Sequence, residues 1–170
     1  MPRMPRLPRV PQLDRLPKMP RIPRKIARAP VPLYLHGLGF LFGNRFVLIE
    51  HKGRLSGRLR QVVLEVVDRG PRRIVVVSGY GPKAHWYRNL LADPRVRLTT
   101  GGMRDMPATA RPLTPPETLA VFERYREAHP AATAALASAF GVPELAAQGP
   151  LDPAIAARMP MVEFTPRRKP

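Results

Sequence analysis

Residues 53–60, with the sequence GRLSGRLR, are the first place in this 170-residue chain where residue types and spacing suggest chemistry. Two glycines permit backbone N–H groups to converge on one anion, and Ser56 adds a hydroxyl donor. Arg54, Arg58 and Arg60 supply guanidinium groups, which bind phosphate or carboxylate through paired hydrogen bonds. The segment predicts either an anion-binding turn or a solvent-exposed basic turn, and the residues alone leave both open.

A second candidate is residues 78–84, SGYGPKA, which follow an apolar strand and open a helix. The segment satisfies the G-x-G-x-x-A dinucleotide pattern. That pattern requires alternating strands and helices and an acidic residue about 20 positions later at the end of the next strand. Here hairpins flank the segment, and Asp105 falls inside one of them. We therefore interpret the glycines as allowing close backbone approach to a flat ligand or a phosphate.

The third candidate is the helix that follows, where residues 85–89 read HWYRN and include the only Trp of the chain. Trp86 and Asn89 are three residues apart and share one helix face. We expect Trp86 to pack in the core and Asn89 to cap a neighbouring loop or to meet a ligand at the helix start.

Composition excludes several kinds of chemistry. The chain has no cysteine, so disulfides, thiolate metal sites and a cysteine nucleophile are excluded. The four histidines lack metal-ligand spacing, and no metal site is predicted. No nucleophile-elbow, zinc-protease or P-loop motif occurs. Demanding chemistry would therefore come from an organic cofactor, and the sequence identifies no catalytic residue.

These segments must be positioned by a β-rich domain with tight turns and helices collected near its end. Strands are predicted over residues 46–51, 59–67, 73–78, 95–100, 103–112 and 161–165. Helices are predicted over residues 33–42, 83–91, 114–128 and 131–140. Thr114 and Glu117 form a capping-box pattern at the third of these helices. The arrangement indicates an α+β fold built on an antiparallel barrel.

Taken together, the motifs resemble the deazaflavin-dependent nitroreductases. The similarity runs from about residue 33 to residue 165, because HKGRLSGRLR, WYRNL, ADPRV and ATAR come in that family's order and spacing. The resemblance implies a split β-barrel of the FMN-binding type that binds coenzyme F420. This coenzyme is an 8-hydroxy-5-deazaflavin with a phosphate and an oligoglutamate tail.

The resemblance also implies roles for individual residues. The phosphate and the acidic tail would be held by Arg54, Ser56, Gly57 and Arg60. The deazaflavin and its side chain would be lined by Ser78, Gly79, Tyr80, Gly81 and Lys83. The pocket would be supported by Trp86 and Asn89.

Charge and proline are concentrated at the N-terminus. Residues 1–30 carry +8 of the net charge of +17, which leaves +9 on the domain of residues 31–170. Residues 1–24 repeat a triplet of an apolar residue, Pro and a basic residue, with Gln12 and Asp14 as exceptions. Prolines at this density exclude an α-helix, whereas polyproline II, with three residues per turn, would align one apolar, one proline and one basic ridge. Three interpretations stay open: a disordered tail, an arm on an anionic membrane, and a ligand for an aromatic groove.

The sequence thus predicts an oxidoreductase that uses reduced F420 to transfer a hydride to a quinone, an enone or a nitro compound. Tyr80, Tyr87 or water would supply the proton. The alternatives are an FMN- or NAD(P)-dependent oxidoreductase and a non-enzymatic basic protein that binds membranes. Nucleic acid is disfavoured because the arm lacks aromatic residues for base stacking. We expect a cytoplasmic protein, peripheral on the inner face of the membrane, and an oligomer is compatible with the sequence.

Overall fold

The computed structural model describes residues 44–167 of the chain. The expected arm of residues 1–30 and the expected helix over residues 33–42 lie outside the described residues. Across residues 44–167, no helix is both long and apolar enough to span a membrane.

Six antiparallel strands close into a barrel. In chain order they are β1 (Phe46–Lys52), β2 (Leu59–Gly70), β3 (Arg73–Val77), β4 (Arg95–Thr100), β5 (Met103–Pro112) and β6 (Met161–Pro166). Around the barrel the order is β1-β2-β3-β6-β5-β4, and β4 pairs with β1. Closure gives each of these strands two hydrogen-bonded neighbours and removes the exposed edge that an open sheet would present.

Helices occupy one end and one side of the barrel. They are α1 (His85–Ala92), α2 (Pro115–Ala128), α3 (Pro130–Phe140) and α4 (Ala154–Arg158). Short 3₁₀ turns at Gly81–Lys83 and Pro143–Leu145 precede α1 and follow α3. At the start of α2, the Glu117 carboxylate accepts the backbone N–H of Thr114 at 2.8 Å and its hydroxyl at 2.9 Å. The predicted capping box is therefore confirmed.

Two apolar cores follow from the alternation of side chains along the strands. Inside the barrel, Val47 and Ile49 of β1 meet Val76, Phe164 and the helix residue Trp86. The opposite face of β2, β3 and β6 packs against the helices through a second set of buried residues. That set includes Val75, Phe122, Leu136, Ile155 and Met161. β3 lies between the two cores, which explains its continuous β-branched sequence.

Strand register brings the first chemical segment to one end of the barrel. His51 on β1 lies opposite Arg60 on β2 and opposite Val96 on β4. The β1–β2 connection therefore projects from the barrel end that α1 covers, because α1 contacts the same connection through Asn89.

The predicted fold class, an α+β antiparallel split barrel, is confirmed, and the hairpins fall where the turn residues indicated. β2 continues past residue 67 to Gly70, with an irregularity between Val66 and Asp68. α4 and the turn at Pro143–Leu145 were not predicted. Both are too short to show a helical period, so their local sequence carries no periodic signal.

Candidate active site

The β1–β2 connection folds as a tight turn whose backbone amides are largely occupied. The N–H of Gly53 donates to the carbonyl of Arg58, and that of Gly57 donates to the carbonyl of Gly53, both at 2.8 Å. Gly57 has φ +65°, in the left-handed region that glycine adopts without strain. The turn can therefore bind an anion mainly through its guanidinium groups, because few of its backbone N–H groups are free.

Asn89 fastens this turn to α1. Its Oδ1 accepts the backbone N–H of Arg54 at 3.2 Å and Nη1 of the same residue at 2.9 Å. Nη1 also lies 3.5 Å from the carbonyl oxygen of His85, at the first position of α1. Asn89 is only 5 % exposed, so these bonds form in a water-poor setting where they are stronger than at the surface.

The buried side of Asn89 contacts a residue that the sequence reasoning missed. Nδ2 of Asn89 lies 3.3 Å from Nδ1 of His51, which is 4 % exposed at the end of β1. Burial lowers the pKa of His51 below its ordinary value, and the charge of Arg60 lowers it further. A hydrogen bond to the Lys52 backbone and the charge of Glu50 oppose the shift. The hairpin pattern could have identified His51. It ends the strand before the basic turn, and a hairpin pairs it with Arg60 on the strand that follows.

Arginine side chains of the turn remain available to a ligand. Arg58 and Arg60 are exposed, and Arg54 is partly buried. Within residues 44–167 none of the three forms an ion pair with a carboxylate, whereas Arg73 and Arg111 elsewhere on the barrel do. Ser56 is exposed, and its hydroxyl oxygen lies 3.4 Å from the N–H of Arg58. The turn thus presents uncompensated positive charge beside α1.

The second segment, residues 78–84, forms a tight loop that enters α1. Ser78 is buried, and its hydroxyl donates to the carbonyl of Gly81 at 2.8 Å, while the N–H of Gly81 donates back to the carbonyl of Ser78. Gly81 has φ +72°, and a Cβ there would lie 2.9 Å from the carbonyl oxygen of Arg158. Ser78 and Gly81 therefore shape the loop, and its exposed side chains are those of Tyr80, Pro82 and Lys83.

Gly79 is required by a neighbouring side chain. A Cβ at Gly79 would overlap the ring of Phe140, at the end of α3. Phe140 also meets the Tyr80 ring edge to face, with centroids 5.6 Å apart. The space that the sequence reasoning assigned to a flat ligand over Gly79 is thus filled by Phe140, and an aromatic pair borders the loop.

Trp86 lies in the barrel core, as its position on α1 predicted, and its ring meets that of Tyr87 at 5.9 Å in an edge-to-face contact. Burial raises the pKa of Tyr87 above its ordinary value, so its hydroxyl keeps its proton throughout the physiological range. Tyr125 on α2 is buried, and its hydroxyl donates to Glu65 on β2 at 3.2 Å. Tyr125 therefore belongs to the helical core and not to the loop.

The structure thus brings the basic turn and the start of α1 into direct contact, and the loop of residues 78–84 leads into that same helix. A groove of about 270 Å³ lies along β1, β4 and β5, and His51 lines it together with residues including Lys52, Leu59, Arg95, Arg97 and Arg167. None of the cofactor residues suggested by the sequence lines it. In the described part of the chain, no cluster of His, Asp or Glu could hold a metal ion.

Comparison with known proteins identifies one family and several solved structures of similar fold. A family model described as F420H2-dependent quinone reductase matches residues 36–139, more than half of the chain. A solved structure described as an F420-H2 dependent reductase (FDR-A) is 24 % identical, with a TM-score of 0.46, over 72 % of this chain and 95 % of that one. No curated protein matches significantly.

A second solved structure supports the fold. It is a pyridoxamine 5′-phosphate oxidase-related, FMN-binding protein from Nostoc punctiforme PCC 73102. It is 13 % identical, with a TM-score of 0.51, over 81 % of this chain and 80 % of that one. At this identity the likeness shows a shared split barrel and nothing about the ligand.

Proposed function

This chain belongs to the F420H2-dependent quinone reductase family and is an F420-dependent oxidoreductase; from this premise we propose that its hydride acceptor is a quinone. The family description supports the quinone, and the observation that supports the cofactor site is the basic turn fixed by Asn89 against α1, with Arg54 bonded at 2.9 Å. A rigid cationic turn beside a loop with exposed aromatic and amino groups suits a cofactor that joins a flat ring to an acidic chain.

The residues present fit F420. The coenzyme carries a phosphate and an oligoglutamate tail, and Arg54, Arg58 and Arg60 have no carboxylate partner among residues 44–167. Arginine binds phosphate and carboxylate through two parallel hydrogen bonds. We assign the anionic part of the cofactor to Arg54, Arg60, Ser56 and the Gly57 turn. The deazaflavin side is assigned to Tyr80 and Lys83, which are exposed on the loop of residues 78–83.

Bound F420 supplies a two-electron hydride transfer, so the protein itself needs to position the reactants, exclude water and provide a proton. Asn89 and Arg54 hold the turn. The edge-to-face pair of Tyr80 and Phe140 gives an apolar border, and an aromatic or quinonoid acceptor can pack against the face of one of these rings. Tyr87, with its raised pKa, keeps a hydroxyl proton available near Trp86.

Direct binding tests the cofactor assignment. Purified protein titrated with oxidised F420 should change the deazaflavin fluorescence saturably, and FMN or NAD(P) should not compete. Reduced F420 should then be oxidised faster by a quinone such as menadione than by a nitroaromatic or an enone of similar size. Preference for the nitro compound or the enone would overturn the quinone assignment while leaving F420 binding intact. Binding of FMN without F420 would overturn both.

We also propose that the protein binds an anionic membrane surface, on the inner face of the cell membrane. Leu55 and Leu59, in and beside the basic turn, are 88 % and 69 % exposed. Lys52, Arg54, Arg58 and Arg60 surround them without an acidic residue in the same stretch. Exposed leucines ringed by cations suit the boundary between lipid headgroups and acyl chains. The protein would encounter a lipid-soluble quinone at this boundary.

Vesicle sedimentation tests the membrane assignment. The full chain should sediment with phosphatidylglycerol vesicles and much less with phosphatidylcholine vesicles. The double variant Leu55→Ser/Leu59→Ser and a chain lacking residues 1–24 should each sediment less, with F420 affinity unchanged as the control for folding. Equal sedimentation of all three proteins would contradict the assignment.

A further inference from the structure

The orientation of the Asn89 carboxamide is fixed by its partners. The oxygen faces two donors from Arg54, the backbone N–H and Nη1, at 3.2 and 2.9 Å. Reversing the amide would point its N–H₂ group at both donors and lose both bonds. The nitrogen of Asn89 must therefore face His51, and it lies 3.3 Å from Nδ1 of that ring.

This orientation dictates the protonation state of His51. An amide nitrogen donates only, so Nδ1 of His51 must accept and carries no proton. A protonated imidazole has a donor on both ring nitrogens, which would place two donors face to face across 3.3 Å. The network His51–Asn89–Arg54 is thus complete only while the imidazole is neutral. Protonation removes the acceptor at Nδ1, and the amide can bond to the ring again only by turning its oxygen towards His51, which withdraws that oxygen from Arg54.

The surroundings of His51 favour this neutral form. The ring is 4 % exposed and makes the Asn89 contact on its buried side. The ionisable groups around it come from β1, β2, β4, the β1–β2 turn and the end of β6. They are Glu50, Lys52, Arg54, Arg60, Arg95, Arg97 and Arg167. Arg95 and Arg97 are paired with Asp93 and Asp105. Burial is the main cause that lowers the pKa of His51, and the charge of Arg60 lowers it further, against a hydrogen bond to the Lys52 backbone and the charge of Glu50.

We propose that His51 and Asn89 are positioning residues for the anionic half of the cofactor site: neutral His51 orients Asn89, Asn89 holds Arg54, and protonation of His51 releases Arg54 and weakens F420 binding. The inference rests on the proposed placement of the cofactor phosphate and acidic tail at Arg54. His51 itself touches neither the cofactor nor the acceptor. The affinity for F420 should therefore depend on pH through a group of the protein and not only through groups of the cofactor.

The sign of the coupling makes the proposal testable in the wild-type protein. If protonation weakens F420 binding, reciprocity requires that F420 binding disfavour protonation of His51. The His51 ring signals, followed by NMR against pH, should therefore titrate at lower pH when F420 is bound. A purely electrostatic effect of the acidic cofactor would raise the pKa of the ring instead. A raised or unchanged pKa on binding would overturn the proposal.

A matched variant gives a second readout. In His51→Asn, the Asn Oδ1 can accept from Asn89 in place of Nδ1 but does not titrate. Affinity for F420, measured by equilibrium dialysis at pH 8 and at a pH below the His51 midpoint that NMR gives for the cofactor-free protein, should fall several-fold more in the wild type than in His51→Asn. Any titration of F420 itself is common to both proteins and cancels in the comparison. Parallel pH profiles would overturn the proposal, whereas absence of F420 binding in the wild type at both pH values would instead contradict the proposed cofactor site.

Discussion

The side-chain oxygen of Asn89 accepts both the backbone N–H and the guanidinium of Arg54, at 3.2 and 2.9 Å, across the gap between α1 and the β1–β2 turn. One buried amide thereby fixes the position of the turn backbone and of its first cation. A surface arginine loses considerable side-chain entropy when a ligand immobilises it. Arg54 has largely lost that entropy in the folded protein, so the site is preorganised for an anion.

The pair Arg54 and Asn89 should act as one unit in F420 binding. We expect Asn89→Ala and Arg54→Ala each to weaken F420 affinity roughly ten- to hundredfold, because each removes a hydrogen bond to a charged group. The double variant should lose much less than the sum of the two effects. Fluorescence titration of all four proteins measures the coupling. Arg88→Ala, an exposed neighbour on α1, is the control, and additive losses would show that Asn89 does not act through Arg54.

Arg60 should contribute by direct contact. Since it is exposed and pairs with no carboxylate in the described part of the chain, Arg60→Ala should leave stability nearly unchanged. F420 affinity should fall roughly tenfold or more through the lost charge-assisted bonds. Arg72→Ala, in the turn between β2 and β3 at the other end of β2, removes the same charge without touching the site. Equal affinity of the two variants would remove Arg60 from the site.

Gly81 should tolerate no side chain. In Gly81→Ala the new Cβ meets a backbone oxygen at 2.9 Å and the residue keeps φ +72°, which costs about 1–2 kcal/mol from the backbone alone. We expect a loss of at least about 2 kcal/mol in urea denaturation, together with weaker F420 binding because the loop must shift. Gly102→Ala serves as the control, since a Cβ there meets nothing within 4 Å. Comparable stability of the two variants would contradict this description of the loop.

Acidification should remove the contribution that the Glu117 carboxylate makes to the stability of the fold. Hydrogen bonds from Arg111 and Thr114 lower the pKa of the Glu117 carboxyl to about 2. A lowered pKa means that the unfolded state binds the proton more readily, so the stabilisation is complete above the ordinary pKa of 4.5 and declines as pH falls towards 2. The melting temperature of Glu117→Gln should therefore lie below that of the wild type at pH 6. The difference should shrink steadily on acidification to pH 3. Glu123→Gln, exposed on the same helix, should show no such trend.

Local sequence determined most of the elements and the hairpin connections, but not the order of the strands around the barrel. Three local signals were sufficient: the β-branched run of β3, the glycines at the hairpins, and the capping box of Thr114 and Glu117. Each depends on a few neighbouring residues, so the strand, turns and helix start that they form can be predicted without tertiary contacts. The basic turn was recognisable for the same reason, since Gly53, Gly57 and the arginines between and after them are close in sequence.

The sequence did not show why a glycine is required at each individual position. Gly79 was interpreted as space for a ligand, and the structure fills that space with the Phe140 ring. The two residues are 61 positions apart, and their contact depends on how α3 packs against the barrel. A motif shows that a side chain is excluded, whereas only packing shows what excludes it.

The sequence by itself therefore determined an α+β barrel, a cationic turn and an aromatic helix start, because periodicity, turn chemistry and charge are local properties. Only the tertiary structure decided that His51, Asn89 and Arg54 form one network, because barrel closure and the docking of α1 bring together residues up to 38 positions apart. Hydrogen bonds form over about 3 Å, and no spacing in the chain encodes which donors and acceptors will meet at that distance.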